Sequence, residues 1–171
     1  RGDAESDTLN RLVITAGLDR GQVAILRAYR KYRQRIGSRF TEGYQNDVLV
    51  ANSAITAKLV RYFELRFDPD IEPDEVAEKE LRDEIMADLE EVSSIDHDRI
   101  LRNQLGAIDA TLRTSAFKDG RGATAFKLRS ADVPAIPMPA PAFEIYVYAP
   151  EIEGIHLRGG KIARGGIRFS D

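Results

Sequence analysis

Residues Gly154–Asp171 read GIHLRGGKIARGGIRFSD. Apolar and polar residues alternate there with period two, which predicts strands rather than helix. Gly159-Gly160 falls between the two runs and reads as a tight hairpin turn, because glycine reaches positive φ without steric cost. In the second run Ile162, Arg164, Gly166 and Arg168 share one face, and Ala163, Gly165, Ile167 and Phe169 share the other. The second face is apolar and fits a core. On the first, Arg164 and Arg168 flank a glycine, with backbones roughly 13 Å apart at about 3.3 Å per residue. Side chains this long can converge on an anion, and the planar guanidinium grips a carboxylate or phosphate through paired hydrogen bonds. Three readings compete: an edge hairpin with arginines in water, an RGG-type RNA-binding segment, and an anion-binding strand lining a cleft. Against the RNA reading, RGG segments are low in complexity and disordered, whereas Ile, Leu and Phe interleave here.

Upstream, Phe143–Tyr148 (FEIYVY) is the clearest strand of the chain, with Phe143, Ile145 and Val147 on one side, and Thr124–Arg129 reads as another. Between them residues 131–141 carry Pro134, Pro137, Pro139 and Pro141, which suit neither helix interiors nor central strands and predict a stiff, extended connector.

The run EGIHLRGGKIARGGIRFSD, Glu153–Asp171, resembles the entry to the catalytic region of the large-subunit, NAD-dependent bacterial glutamate dehydrogenases, which carry EGxHLRGGxxARGGxRxSD. Smaller hexameric glutamate dehydrogenases have a related strand, Lys-Gly-Gly-Leu-Arg-Phe, whose lysine contacts a substrate carboxylate. Arg164 stands in that lysine's place, as is usual in the large family. The resemblance extends through FEIYVYAPEIEG (Phe143–Gly154), and more loosely through Ala24–Gln34 and Leu59–Pro69. It implies oxidative deamination of L-glutamate to 2-oxoglutarate and ammonia with NAD as hydride acceptor. It also implies that Arg164 and Arg168 hold or support a substrate carboxylate, while Gly165 and Gly166 let backbone approach the ligand. The segment Arg164-Gly165-Gly166 is the stronger candidate, since Arg168 can instead belong to a structural ion pair with a residue outside the chain.

The rest of the sequence is helical in period. Leu9, Leu12, Val13 and Ala16 form a short amphipathic helix ended by Gly17. Asp19 caps a second helix to about Ile36, with Val23, Leu26, Ala28 or Tyr29, and Tyr32 on or near one face and Arg20, Arg27, Arg30, Lys31, Arg33 and Arg35 elsewhere. A solvated basic face, or one paired with acidic neighbours, is the expectation. Thr41 caps a third helix after a Phe40 staple; Ser53 opens a fourth, stopped at Asp68-Pro69. Pro73 falls in the first turn of a long acidic helix with Val76, Leu81, Ile85, Leu89 and Val92 as its stripe and its carboxylates solvated. Asp96 caps the last helix, expected to reach about Phe117, with His97 exposed in its first turn; the two form an αα-hairpin. Lys118–Gly122 is then a boundary.

The expected architecture is α+β: an antiparallel helical bundle over 1–122, followed over 123–171 by the first strands of a mixed sheet in the substrate-binding region. With 171 residues and 43% hydrophobic content the chain can bury a core, and a net charge of -3 implies no general attraction to nucleic acid. There is no cysteine, hence no disulfide or thiolate site, which is compatible with a reducing cytoplasm. His97 and His156 form no metal-ligand pattern, and no apolar run approaches a membrane span. The chain reads as a piece of a larger, oligomeric polypeptide. The family's catalytic lysine and aspartate and any dinucleotide fingerprint are expected outside it, so the piece alone is expected to be inactive. The alternative is a non-catalytic helical interaction module whose basic helix docks an acidic partner or RNA, with binding that depends on Arg27, Arg30 and Arg33.

Overall fold

The computed structural model describes residues 6–118, 122–159 and 163–169, the last segment with side chains at 164–166 only. By contact the chain divides into two compact units, Ser6–Leu105 and Gly106 onward.

The first unit is helical. A 3-10 turn over Thr8–Arg11 leads into α1 (Leu12–Thr15), followed by α2 (Arg20–Arg35), α3 (Glu42–Ala51), α4 (Ser53–Phe67), α5 (Glu75–Glu90) and α6 (Ile95–Ala110), whose last turn belongs to the second unit. Gly17 and Gly37, at φ +67 and +94, end α1 and α2 in a conformation that side-chain-bearing residues rarely adopt. Asp19 accepts from Gln22 N while the Gln22 side chain accepts from Asp19 N, a reciprocal capping box. Thr41 caps α3 through Tyr44 N, and Phe40 lies against the Tyr44 ring at 5.9 Å. Leu9, Leu12, Leu26, Tyr29, Tyr32, Leu49, Leu59, Phe63, Ile85 and Leu89 are fully buried.

Several local expectations are corrected. The α5 cap is Asp74, whose carboxylate accepts from Val76 N and Ala77 N, so Pro73 precedes the helix. Val76 is 67% exposed and leaves the apolar stripe. In α6 the Ser94 hydroxyl, one residue before the helix, accepts from His97 N. The α5 helix packs most extensively on α4, tied by Lys58 to Asp88 and Glu84 and by Arg66 to Glu78. It is linked to α6 more lightly, through Arg102 to Glu90. His97 is half-buried rather than exposed, its Nδ1 3.2 Å from Asn52 Nδ2 and its ring edge-on to Tyr44.

The main surprise is α2. Arg27, Arg30, Lys31 and Arg33 are all buried, so of the expected basic face only Arg20 and Arg35 are exposed. Asp7 supplies the counter-charge for two of them. Arg27 Nε and NH2 donate to its two carboxylate oxygens, and Arg30 NH2 donates at 3.2 Å. Arg30 also pairs with Glu42. Ion pairing with acidic residues is therefore realised, through Asp7 and Glu42. Burial pushes the Asp7 carboxyl up. The Arg27 hydrogen bonds and charge, helped by the charge of Arg30 and the Leu9 N–H, outweigh this and hold it below the usual aspartate range.

The second unit begins with the end of α6, which stops at Ala110, short of the expected Phe117. Thr111–Thr114 forms β1 and pairs with β2 (Thr124–Arg129), with a register irregularity between Thr111 and Arg113. The chain continues through β3 (Phe143–Ala149), β4 (Ile152–Arg158) and β5 (Ala163–Phe169), giving a five-stranded sheet in the order β1-β2-β3-β4-β5 with every pair antiparallel. The α+β class holds, and no parallel pair occurs among the described residues. The buried face carries Phe126 and Leu128 of β2, Tyr146 and Tyr148 of β3 with Glu144, and Glu153 of β4. Phe143, Ile145 and Val147, on the opposite face of β3, are half-exposed, and Lys127 lies over the Phe143 ring at 4.6 Å. The proline connector is docked rather than free: Val133 is buried, and the Pro134 ring fills the space over Gly106, where a Cβ would meet it. No helix among the described residues is long and apolar enough to cross a membrane.

Candidate functional site

The β4–β5 ribbon carries every site residue singled out from the sequence. Its register pairs Leu157 with Arg164, His156 with Gly165, Ile155 with Gly166 and Glu153 with Arg168. The same ladder pairs β4 with β3 as Tyr146 with Ile155, Tyr148 with Glu153 and Glu144 with Leu157. Positions 164, 166 and 168 therefore continue the sheet face whose β2 and β3 members are buried. The alternation read from the sequence holds, but the arginine positions share the face of the sheet core. The apolar-core expectation for Ala163, Ile167 and Phe169, like the turn at Gly160 and the residue Ile162, lies outside the described side chains.

Arg164 is exposed on this face, and Gly166, two residues on, has open space where a Cβ would stand. An exposed guanidinium beside an uncovered stretch of backbone can receive a planar anion and let it approach the main chain. Gly165 is different. A Cβ built there would lie 2.8 Å from the Ile155 carbonyl oxygen and 3.3 Å from His156 Cα. Its missing side chain makes room for β4. Arg168 takes part through its backbone, as the register partner of Glu153.

The sequence reading passed over two further residues, Glu153 of this ribbon and Tyr146 of the adjacent β3. Glu153 is only 7% exposed, and the Tyr146 hydroxyl donates to its Oε2 at 3.3 Å from the neighbouring strand. A diagonal reach of this kind is within an aromatic side chain's span across a sheet. The signal was present, since a carboxylate inside an alternating strand must be either solvated or compensated.

Elsewhere, a concavity of about 510 Å³ in the helical unit is lined by Asn52, Asp88, Glu91, Ser94 and His97 among others. Several of its polar groups are already engaged with protein, Asp88 with Lys58 and His97 with Asn52. No group of three or more metal-ligating side chains occurs among the described residues. The interaction-module alternative gains nothing, because Arg27 and Arg30 are occupied by Asp7 and Glu42.

Comparison with known proteins agrees with the motif. Residues 84–171 match the model of the bacterial NAD-glutamate dehydrogenase catalytic domain, and residues 4–69 match glutamate dehydrogenase helical motif 3. The chain is 45% identical over 175 residues to the NAD-specific glutamate dehydrogenase of Halomonas elongata and 45% over 179 residues to that of Pseudomonas aeruginosa. It is 38% identical over 179 residues to that of Mycobacterium tuberculosis. Each match covers 99% of this chain and 11% of the relative.

Proposed function

The chain belongs to the bacterial NAD-glutamate dehydrogenase family, and from that premise we propose that it forms part of an enzyme that oxidatively deaminates L-glutamate to 2-oxoglutarate and ammonia. In this reading β5 contributes to the substrate site, with Arg164 gripping a substrate carboxylate and Gly166 admitting it close to the backbone. The observation that carries the reading is the pairing of an exposed Arg164 with open space at Gly166 on one sheet face. Guanidinium and carboxylate are matched in shape and charge, so a dicarboxylate such as glutamate is an apt ligand.

NAD would be held by other parts of the parent polypeptide. The described residues do not fit a dinucleotide: the sheet is an antiparallel meander, and the positive-φ glycines Gly17 and Gly37 end helices instead of opening one after a strand. The isolated piece is accordingly proposed to be inactive, and the parent to be a cytoplasmic homo-oligomer. The test is NADH formation from L-glutamate by the full-length parent, comparing wild type with Arg164→Ala at matched folding. A collapse in kcat/KM supports the reading, and unchanged kinetics overturn the role of Arg164.

A further inference from the structure

We propose that the sheet face opposite the buried one, over β1 to β4, is a docking surface for an acidic amphipathic helix supplied by the parent polypeptide. An antiparallel sheet with one wet face places apolar residues inward and polar residues outward. The central strand β3 does the reverse. Glu144, Tyr146 and Tyr148 are buried, while Phe143, Ile145 and Val147 stand half-exposed on the other side. An apolar row along the middle of a sheet calls for a second layer to cover it. The register places Ala125 and Gly154 on either side of Val147, so small residues flank the row there and leave room for a helix.

The other end of the same face is basic. Arg129 and Arg158 are the register partners of Phe143, Lys127 and His156 are those of Ile145, and Arg113 is that of Lys127. Arg113, Arg129, His156 and Arg158 are exposed, and Lys127 lies over the Phe143 ring at 4.6 Å. Among the described residues no carboxylate holds a strand position on this face; Asp132, beyond the end of β2, pairs with Arg129. Cations gathered this closely favour a partner of opposite charge. The occupant that fits has an apolar stripe for Ile145 and Val147 and carboxylates toward one end. The α5 helix of a second copy does not fit, because it is acidic but its apolar residues Ile85 and Leu89 are already buried. This chain spans 11% of the length of its relatives, so the parent holds ample sequence to supply the helix.

The test uses the full-length parent. In wild type, a carbodiimide joins lysine amines to carboxylates in contact with them. Lys127 is expected to link to an Asp or Glu of an amphipathic segment outside residues 1–171 and within the same subunit. Peptide mapping of oligomers mixed from isotope-labelled and unlabelled chains reads both points. Val147→Cys is expected to react with a maleimide about 100-fold more slowly in the native parent than in the unfolded one, read on the peptide that holds residue 147. Adding Arg158→Glu sets like charge against the helix and should speed that reaction by about tenfold. A Lys127 link only to residues 1–171 or only across subunits, no link at all, labelling of residue 147 at the unfolded rate, or indifference to Arg158→Glu would overturn the proposal. If Val147→Cys fails to fold, the wild-type link decides alone. The kinetics of Arg164→Ala test the role of β5 separately, and neither outcome there bears on this face.

Discussion

Arg27 grips Asp7 through two parallel hydrogen bonds, Nε to Oδ2 at 2.9 Å and NH2 to Oδ1 at 2.8 Å. Twenty residues of sequence separate them, and Arg27 itself is 2% exposed. The pair fastens the first 3-10 turn to the buried side of α2. Removing one member of a buried pair leaves the other charged and unsolvated, so Asp7→Ala should cost about 3 kcal/mol. Adding Arg27→Met should return much of that loss. Hydrogen exchange of the α2 amides in the parent measures both effects.

The same carboxylate sets a pH dependence. Its folded pKa lies below the ordinary aspartate value, so it contributes stability that is fully present above about pH 4. That contribution is lost as the pH falls through the lower folded value. Acid titration of α2 protection should therefore show a step in wild type that is missing in Asp7→Asn.

Gly106 and Pro134 make a second, sharper constraint. A Cβ on Gly106 would come within 2.8 Å of Pro134 Cδ, against a ring fixed in its own backbone. Gly106→Ala should destabilise by about 1–3 kcal/mol through overpacking, although alanine is the better helix former. Gly43→Ala is the control, because nothing lies within 4 Å of its Cβ. Thermal unfolding of the two variants should move in opposite directions.

The adjacent glycines of β5 should separate in the same way. Gly165→Ala drives a methyl into the Ile155 carbonyl and should loosen the β4–β5 pairing, seen as faster exchange of its amides. Gly166→Ala has room, and should leave exchange unchanged while raising KM for glutamate by about tenfold. Equal effects of both on exchange would contradict the division.

Much of this was legible along the chain. Asp19 with Gln22, Thr41 and the Asp68-Pro69 stop are local signals, and the structure uses them as capping chemistry dictates. The strand Thr124–Arg129 was delimited by its period alone. What escaped depends on distant partners. Nothing near Arg27 announces that Asp7 will bury it. Thr111–Thr114 continues a helical pattern, and its hydroxyl at Thr111 still donates to the Ala107 carbonyl as in a helix. Pairing with Leu128 nevertheless draws its backbone into the sheet, a tertiary contact overriding local preference. Periodicity alone would bury the apolar Phe143, Ile145 and Val147 face of β3, yet Glu144, Tyr146 and Tyr148 are the buried residues, a choice set by packing within the second unit. At the candidate site, Arg164 and Gly166 followed from the motif, whereas Glu153 required the register.

The most direct test of the central claim is steady-state NADH formation with L-glutamate by the full-length parent and its Arg164→Ala variant, with folding matched by thermal midpoint. The account predicts kcat/KM lower by about 100-fold in the variant, the size of a lost charge-assisted hydrogen-bond pair. Kinetics indistinguishable from wild type would contradict it and return β5 to a purely structural role.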